Sequence, residues 1–233
     1  MADEKIITIY STKGGTGKTT TAIHLADWFA SEGKSVAMID ADERAMLRDQ
    51  IMASPENFPF PCFFFENETI ADTEEGRAQQ AMQNMAELIQ EAKEGRDVLI
   101  IDCGGYNSAP SLLAAAVADL AIIPVKPGKY DLDQTIDVHA KIQRVARQLG
   151  TEADARALPM QVNLTTNVYT GLKMALKQRG VPCLDAAIPV YTAIAETSFL
   201  NTTIFRYRPS SQAATYMERL AIEVKTILEG DKE

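Results

Sequence analysis

An apolar, β-branched run, Lys5-Ile6-Ile7-Thr8-Ile9-Tyr10-Ser11, gives way at once to Thr12-Lys13-Gly14-Gly15-Thr16-Gly17-Lys18-Thr19-Thr20. A buried strand that ends in closely spaced glycines and leads into a helical pattern is a strand–loop–helix unit with a tightly curled loop. Gly14, Gly15 and Gly17 let several backbone N–H groups point inward at one anion. The helix that follows aims the positive end of its dipole at the same place. Lys18 is placed to reach the β- and γ-phosphates of a nucleotide, and the Thr19 hydroxyl to ligate Mg2+.

Strand-like and helix-like segments alternate through the rest of the chain, the pattern of a parallel α/β protein. Helices are expected over residues 18–32, 74–93, 108–117, 131–149, 168–179 and 210–228. Strands are expected over 35–40, 97–102, 119–124, 157–163 and 183–187. The strands are near-continuous apolar runs, so both faces of the sheet must be covered. The fold class is therefore α/β: a mostly parallel twisted sheet with helices on both faces, in a single domain spanning residues 1–233. Residues 54–67 break the alternation, with three prolines among five phenylalanines. They read as a loop whose aromatics either cap the core or form an exposed partner surface.

Composition removes several classes of function. The formal net charge is −9. Residues 1–150 carry 14 basic and 23 acidic side chains, and residues 151–233 carry 9 of each. A globally basic nucleic-acid binder is excluded, whereas a local basic face in the last third is not. No stretch approaches the roughly 18 apolar residues of a membrane span. The polar start, Met1-Ala2-Asp3-Glu4-Lys5, is not a signal peptide. Cys62, Cys103 and Cys183 are far apart and form no CxxC or Cys/His cluster, so reduced buried thiols in a cytoplasmic protein are expected. His24 and His139 read as structural or solvated helix residues, and Trp28 as packing on the sheet.

A strict GxxxxGK(S/T) loop needs glycine at position 12, where Thr12 stands. The run from Lys13 to Thr20 matches KGGxGKTT instead. In this the chain resembles the ParA/MinD superfamily of P-loop ATPases, whose deviant Walker A loop carries a second lysine. The resemblance implies a P-loop NTPase fold, ATP and Mg2+ as cofactors, ATP hydrolysis and a homodimer in the ATP state. ATP would be bound by Lys13, Gly14, Gly15, Thr16, Gly17, Lys18, Thr19 and Thr20. Lys13 would cross to the nucleotide of the other subunit and neutralise transferring charge as an arginine finger does. The family's switch aspartate matches Asp42, which would position the attacking water and the magnesium shell, while Asp40 is read as structural. Asp102, closing the apolar run 97–102, matches the aspartate that holds magnesium through a water. Asn163 is implied to read adenine and Pro189 to lie over the base. The chain departs from the family where Glu43-Arg44-Ala45 replaces the usual Pro-Gln-Gly, and where Gly104 and Gly105 stand for Pro-Pro.

Three uses of such an ATPase compete. In the first, ATP dimers bind nucleoid DNA without sequence preference and position cargo, until an adaptor protein stimulates hydrolysis. Between Lys173 and Lys225 there are seven basic and four acidic residues. Lys173, Lys177, Arg206, Arg208 and Arg219 are the DNA-contact candidates, although Val190 and Tyr191 stand where relatives often place an arginine. The second use, cycling on a membrane, is disfavoured by the acidic end Leu228-Glu229-Gly230-Asp231-Lys232-Glu233. The third, a metabolic or metal-transfer enzyme, lacks a cysteine pair or a recognisable second substrate site. Within the first, the alternative is a switch that recruits a protein partner, as in conjugation-DNA transfer or organelle positioning.

Overall fold

The strands are β1 (Lys5–Ile9), β2 (Val36–Ala41), β3 (Cys62–Phe64), β4 (Val98–Cys103), β5 (Leu120–Val125), β6 (Ala155–Val162) and β7 (Ile188–Pro189). Among the described residues, 4–230 of the computed structural model, they form one sheet in the order β3-β2-β4-β1-β5-β6-β7. Every pairing is parallel. The ends of the chain, including the 231–233 part of the acidic tail, lie outside those residues.

Alternation along the strands assigns residues to the two faces. Ile7 and Ile9 of β1 pack with α1 (Lys18–Ser31) and α9 (Gln212–Glu229), against Ala22, Leu25, Phe29, Met217 and Leu220. Ile6 and Tyr10 face the other way, toward α3 (Glu74–Lys93), α4 (Ala109–Val117) and α5 (Lys129–Gln148), through Met85, Ala115 and Ile142. A smaller cluster joins α6 (Asn167–Gln178) to β6 through Leu172, Leu176 and Ala157. Trp28 packs in the first of these layers with its ring 5.2 Å from that of Phe29.

The expected helices and the first five strands form within a few residues of the expected bounds. The segment 54–67 is a correction. It contains a short 3-10 turn, Pro55–Asn57, and β3, which pairs with β2 at the sheet edge. Phe58, Phe60 and Phe65 are buried, so these aromatics do cap the core. The strand expected at 183–187 reduces to one bridge between Ala157 and Cys183, and the last strand is β7. The cause is a carboxylate. Glu223 of α9 accepts the N–H groups of Asp185 and Ala186 at 2.7 Å each, taking that backbone out of the ladder. Helices α2 (Met46–Ala53), α7 (Thr192–Phe199) and α8 (Ile204–Tyr207) have no counterpart in the sequence expectation. Cys103 is buried, but Cys62 and Cys183 are only half-buried; all three are free thiols.

Candidate functional site

β1 and β4 are neighbours at the middle of the sheet, in a register that sets Ile9 against Asp102. The loop leaving β1 and the aspartate near the end of β4 therefore meet at the carboxyl edge, where open α/β sheets hold ligands. On its other side β4 pairs with β2 and sets Asp40 against Asp102.

The loop is curled by its glycines. Gly15, at φ 71°, and Gly17, at φ 99°, are left-handed. Gly17 is the N-cap of α1, and no side chain among the described residues caps that end. The first turn of α1, Lys18-Thr19-Thr20-Thr21, holds no acid, so its N–H groups face an external anion with the helix dipole behind them. Thr16 is buried, with its hydroxyl 2.8 Å from that of Ser11, which fastens the loop to the end of β1. Gly105 packs directly on the loop backbone. A β-carbon there would stand 3.0 Å from the Gly14 nitrogen and 3.2 Å from its Cα.

The two lysines point in different directions. Lys18 folds inward, 7% exposed, with Nζ donating to the Lys13 carbonyl at 3.0 Å. Burial lowers its pKa, and Asp102 and Asp42 pull it back up. Lys13 turns outward. Its Nζ lies 2.8 Å from the Asp131 carboxylate in the first turn of α5 and 5.6 Å from the centre of the Tyr130 ring.

The three acids of the site have different surroundings. Asp102 is 1% exposed, and neither carboxylate oxygen has a hydrogen-bond partner among the described residues. Burial pushes its pKa up to about 7; the Thr19 hydroxyl and Lys18 act against the rise, while Asp40 and Asp42 add to it. An orphaned buried carboxylate beside Thr19 fits a hard, oxygen-seeking cation. Asp40 is saturated, accepting the N–H groups of Asp42 at 3.0 Å and Arg48 at 2.9 Å, and is thus a structural brace for the turn after β2. Asp42 is half-buried and accepts the Arg44 N–H at 3.1 Å. No group of three or more His, Cys, Asp or Glu side chains among the described residues forms a metal cage. A cation here would take most of its ligands from phosphate and water, the usual habit of Mg2+.

A cleft of about 920 Å3 runs from Gly14, Lys18 and Thr19 past Asp42 and Tyr106 to Met46 and Phe199. Its loop end suits the phosphates of a nucleotide. Asn163 and Pro189 lie outside its lining. Asn163 is exposed, and its Oδ1 accepts the N–H of Thr165 at 3.2 Å and the hydroxyl of Thr165 at 2.9 Å. Pro189 is half-buried in β7.

The basic residues of the last third are largely paired within the chain. Lys173 meets Asp185 at 3.3 Å, Arg206 meets Asp27 at 2.7 Å, and Arg208 meets Glu196 at 3.3 Å. Arg219 lies over the Tyr216 ring, 5.5 Å from its centre, and Lys177 is exposed. No helix of the described residues is long and apolar enough to cross a membrane. Sequence reasoning missed Asp131, Tyr106 and the 197–201 wall of the cleft. Only the strand order, which sets β5 beside β1, brings Asp131 to Lys13.

A central parallel sheet, a glycine loop at the end of β1 and a bare aspartate at the end of β4 define a P-loop nucleotide-binding protein. A family profile described as ATPase MipZ matches residues 5–152. Protein ParA of Rhizobium radiobacter is 30% identical over 196 residues, covering 81% of this chain and 79% of that one. The chromosome-partitioning ATPase Soj of Thermus thermophilus is 26% identical over 240 residues, covering 94% of each chain. The septum site-determining protein MinD of Pyrococcus horikoshii, solved with Mg-ADP, superposes with a TM-score of 0.71 at 21% identity, over 98% of both chains. The chain belongs to the ATPase MipZ family, within the ParA/MinD superfamily of partition ATPases.

Proposed function

We propose that this chain is a Mg2+- and ATP-dependent switch that dimerises on ATP, positions a cargo, and is reset when an adaptor protein stimulates hydrolysis in the cytoplasm. The observation that carries the reading is the divergence of the two lysines. Lys18 alone fills the cradle from within, whereas Lys13 sits at the outer rim, held by Asp131. A second cation at the rim adds little to the phosphates of its own subunit and is placed to serve another's.

The residues present fit Mg·ATP. Gly14 to Thr20 would cradle the phosphates, and Thr19 and Asp102 would hold the cation, with Asp42 ordering water at its edge. The cation would supply charge neutralisation for the transferring phosphoryl group. Lys18 adds a fixed positive charge, and closure of the cleft would exclude bulk water. Asn163 and Pro189 are proposed for the base only as the resemblance places them. In their support stands their position at the ends of β6 and β7, on the carboxyl edge that carries the loop.

The cargo is the finer question. Relatives are named for chromosome partitioning and for carboxysome distribution. DNA binding by the dimer is a second reading, favoured by exposed Lys177 and Arg219. The internal pairing of Lys173, Arg206 and Arg208 weakens it, and favours a surface that recruits protein. One assay separates them: mass in solution with and without ATP, together with retention of non-specific duplex DNA at two salt concentrations. An ATP-dependent dimer that holds DNA and loses it with salt supports the DNA reading. An ATP dimer that ignores DNA leaves the protein-recruiting switch. A chain that stays monomeric with ATP defeats both.

A further inference from the structure

The far wall of the cleft consists of Thr197, Ser198, Phe199 and Asn201, at the end of α7. Two buried side chains of α1 tie the segment just after it to the phosphate loop. His24 lies with Nδ1 2.7 Å from the Thr20 carbonyl, and its Nε2 accepts the Ile204 N–H at 3.0 Å. An accepting Nε2 assigns the proton to Nδ1, so this histidine is neutral and donates to Thr20. Burial agrees, holding its pKa down to about 4. Nearly one turn further along the helix, Asp27 is 3% exposed. It accepts the Thr203 hydroxyl, and its Oδ1 accepts Nε and Nη2 of Arg206 at 2.9 and 2.7 Å.

The wall is pinned from its other side as well. Asn57 donates its amide to the Asn201 carbonyl at 2.9 Å, and Asn201 itself is left-handed, at φ 44°. The acceptors at 24 and 27 share one face of the helix that begins with Lys18, Thr19 and Thr20. Their donors, at 203, 204 and 206, follow the wall directly. A nearly buried carboxylate is expensive to keep where packing alone is wanted. Here it joins two walls of a single cleft.

We propose that His24 and Asp27 are positioning residues that set the width of the nucleotide cleft by latching the 197–201 wall to the P-loop helix. The inference rests on the nucleotide-switch reading above and assigns that site a part unconnected with Lys13.

The test uses the full chain with Mg·ADP as probe, titrated by calorimetry, beside melting with and without the nucleotide. Asp27→Asn and Arg206→Gln are each expected to weaken Mg·ADP about tenfold. The double variant should lose no more than either single change, and Arg206→Lys should recover part of the affinity. Amide exchange over 197–206, slowed by Mg·ADP in the unaltered chain, should no longer be slowed in the variants. A merely structural pair would lower the melting temperature of the nucleotide-free protein and leave both ADP affinity and exchange protection intact. That result in folded variants overturns the proposal. Arg206→Gln changes a half-exposed side chain and keeps the question readable if Asp27→Asn does not fold. An unaltered chain that fails to bind Mg·ADP overturns the nucleotide reading and the latch together.

Discussion

Lys13 and Asp131 form an ion pair of 2.8 Å between the loop after β1 and the first turn of α5. The lysine that a dimer would need is thus held inside its own subunit. The side chains are 39% and 15% exposed, so solvent screens the pair, and a contribution of about 1 kcal/mol or less is the appropriate scale. That biases an equilibrium without locking it.

Removing the competitor should therefore favour association. Asp131→Asn is expected to shift ATP-dependent dimerisation to roughly fivefold lower protein concentration. Sedimentation of the two proteins across a concentration series checks this, and identical curves would remove Asp131 from the account. Lys13→Ala should keep nucleotide binding and lose dimerisation or turnover. Normal turnover in that variant would end the role in the partner's site.

Gly105 tests the close approach to the phosphate loop. Gly105→Ala puts a β-carbon 3.0 Å from the Gly14 backbone nitrogen, which no side-chain rotation relieves, and the loop must move. Nucleotide affinity is expected to fall by about tenfold or more, on the scale of one or two lost charge-assisted hydrogen bonds. Gly171→Ala is the control. It lies in α6 with open space around a β-carbon, and should stabilise the fold by about 1 kcal/mol or less without touching affinity.

Asp102 sets stability against function. Its folded pKa, near 7, is above the ordinary carboxylate value, so its contribution to stability is full at low pH and is lost as pH rises through about 7. Asp102→Asn should stabilise the nucleotide-free protein at pH 8 by on the order of 1–3 kcal/mol, read as a higher melting temperature. The gain should shrink toward pH 5, and Mg2+-dependent hydrolysis should disappear. A variant less stable at pH 8 would show that the carboxylate has a partner after all.

His24 carries the opposite sign. Its folded pKa is about 4 against an ordinary 6.5, so the unfolded chain takes up the proton first as pH falls. Stability from this group is full above about 6.5 and is lost progressively down to about 4, by about 3 kcal/mol in all. Asp102 works against it over the same range, so the unaltered chain alone is uninformative. The stability difference between it and His24→Gln should widen steadily from pH 4.5 to 6.5. A constant difference would mean that the histidine is not held neutral.

The loop, the central strands and six of the helices were legible because each carries its own local signal. Gly15 and Gly17 must be left-handed, and the run ending at Asp102 can only be a buried strand. β3 was not legible, since prolines at 59 and 61 obscure a three-residue edge strand whose ladder is supplied by β2. Nor was the end of the 183–187 strand, where Glu223, 38 residues beyond Asp185, captures the backbone. Arg206 shows the same limit at the site. Composition counts it as a free cation, while Asp27, 179 positions away in sequence, neutralises it. Contacts that depend on strand order or on distant partners leave no periodicity to read.

The order of the strands also separates what is fixed from what can vary. Ile9 and Asp102 face each other in the middle of the sheet, whereas β3 and β7 are its edge strands. Insertions and substitutions at the rims leave the central register untouched. A lineage built on this plan can redraw its outline repeatedly and still keep the same nucleotide-facing centre.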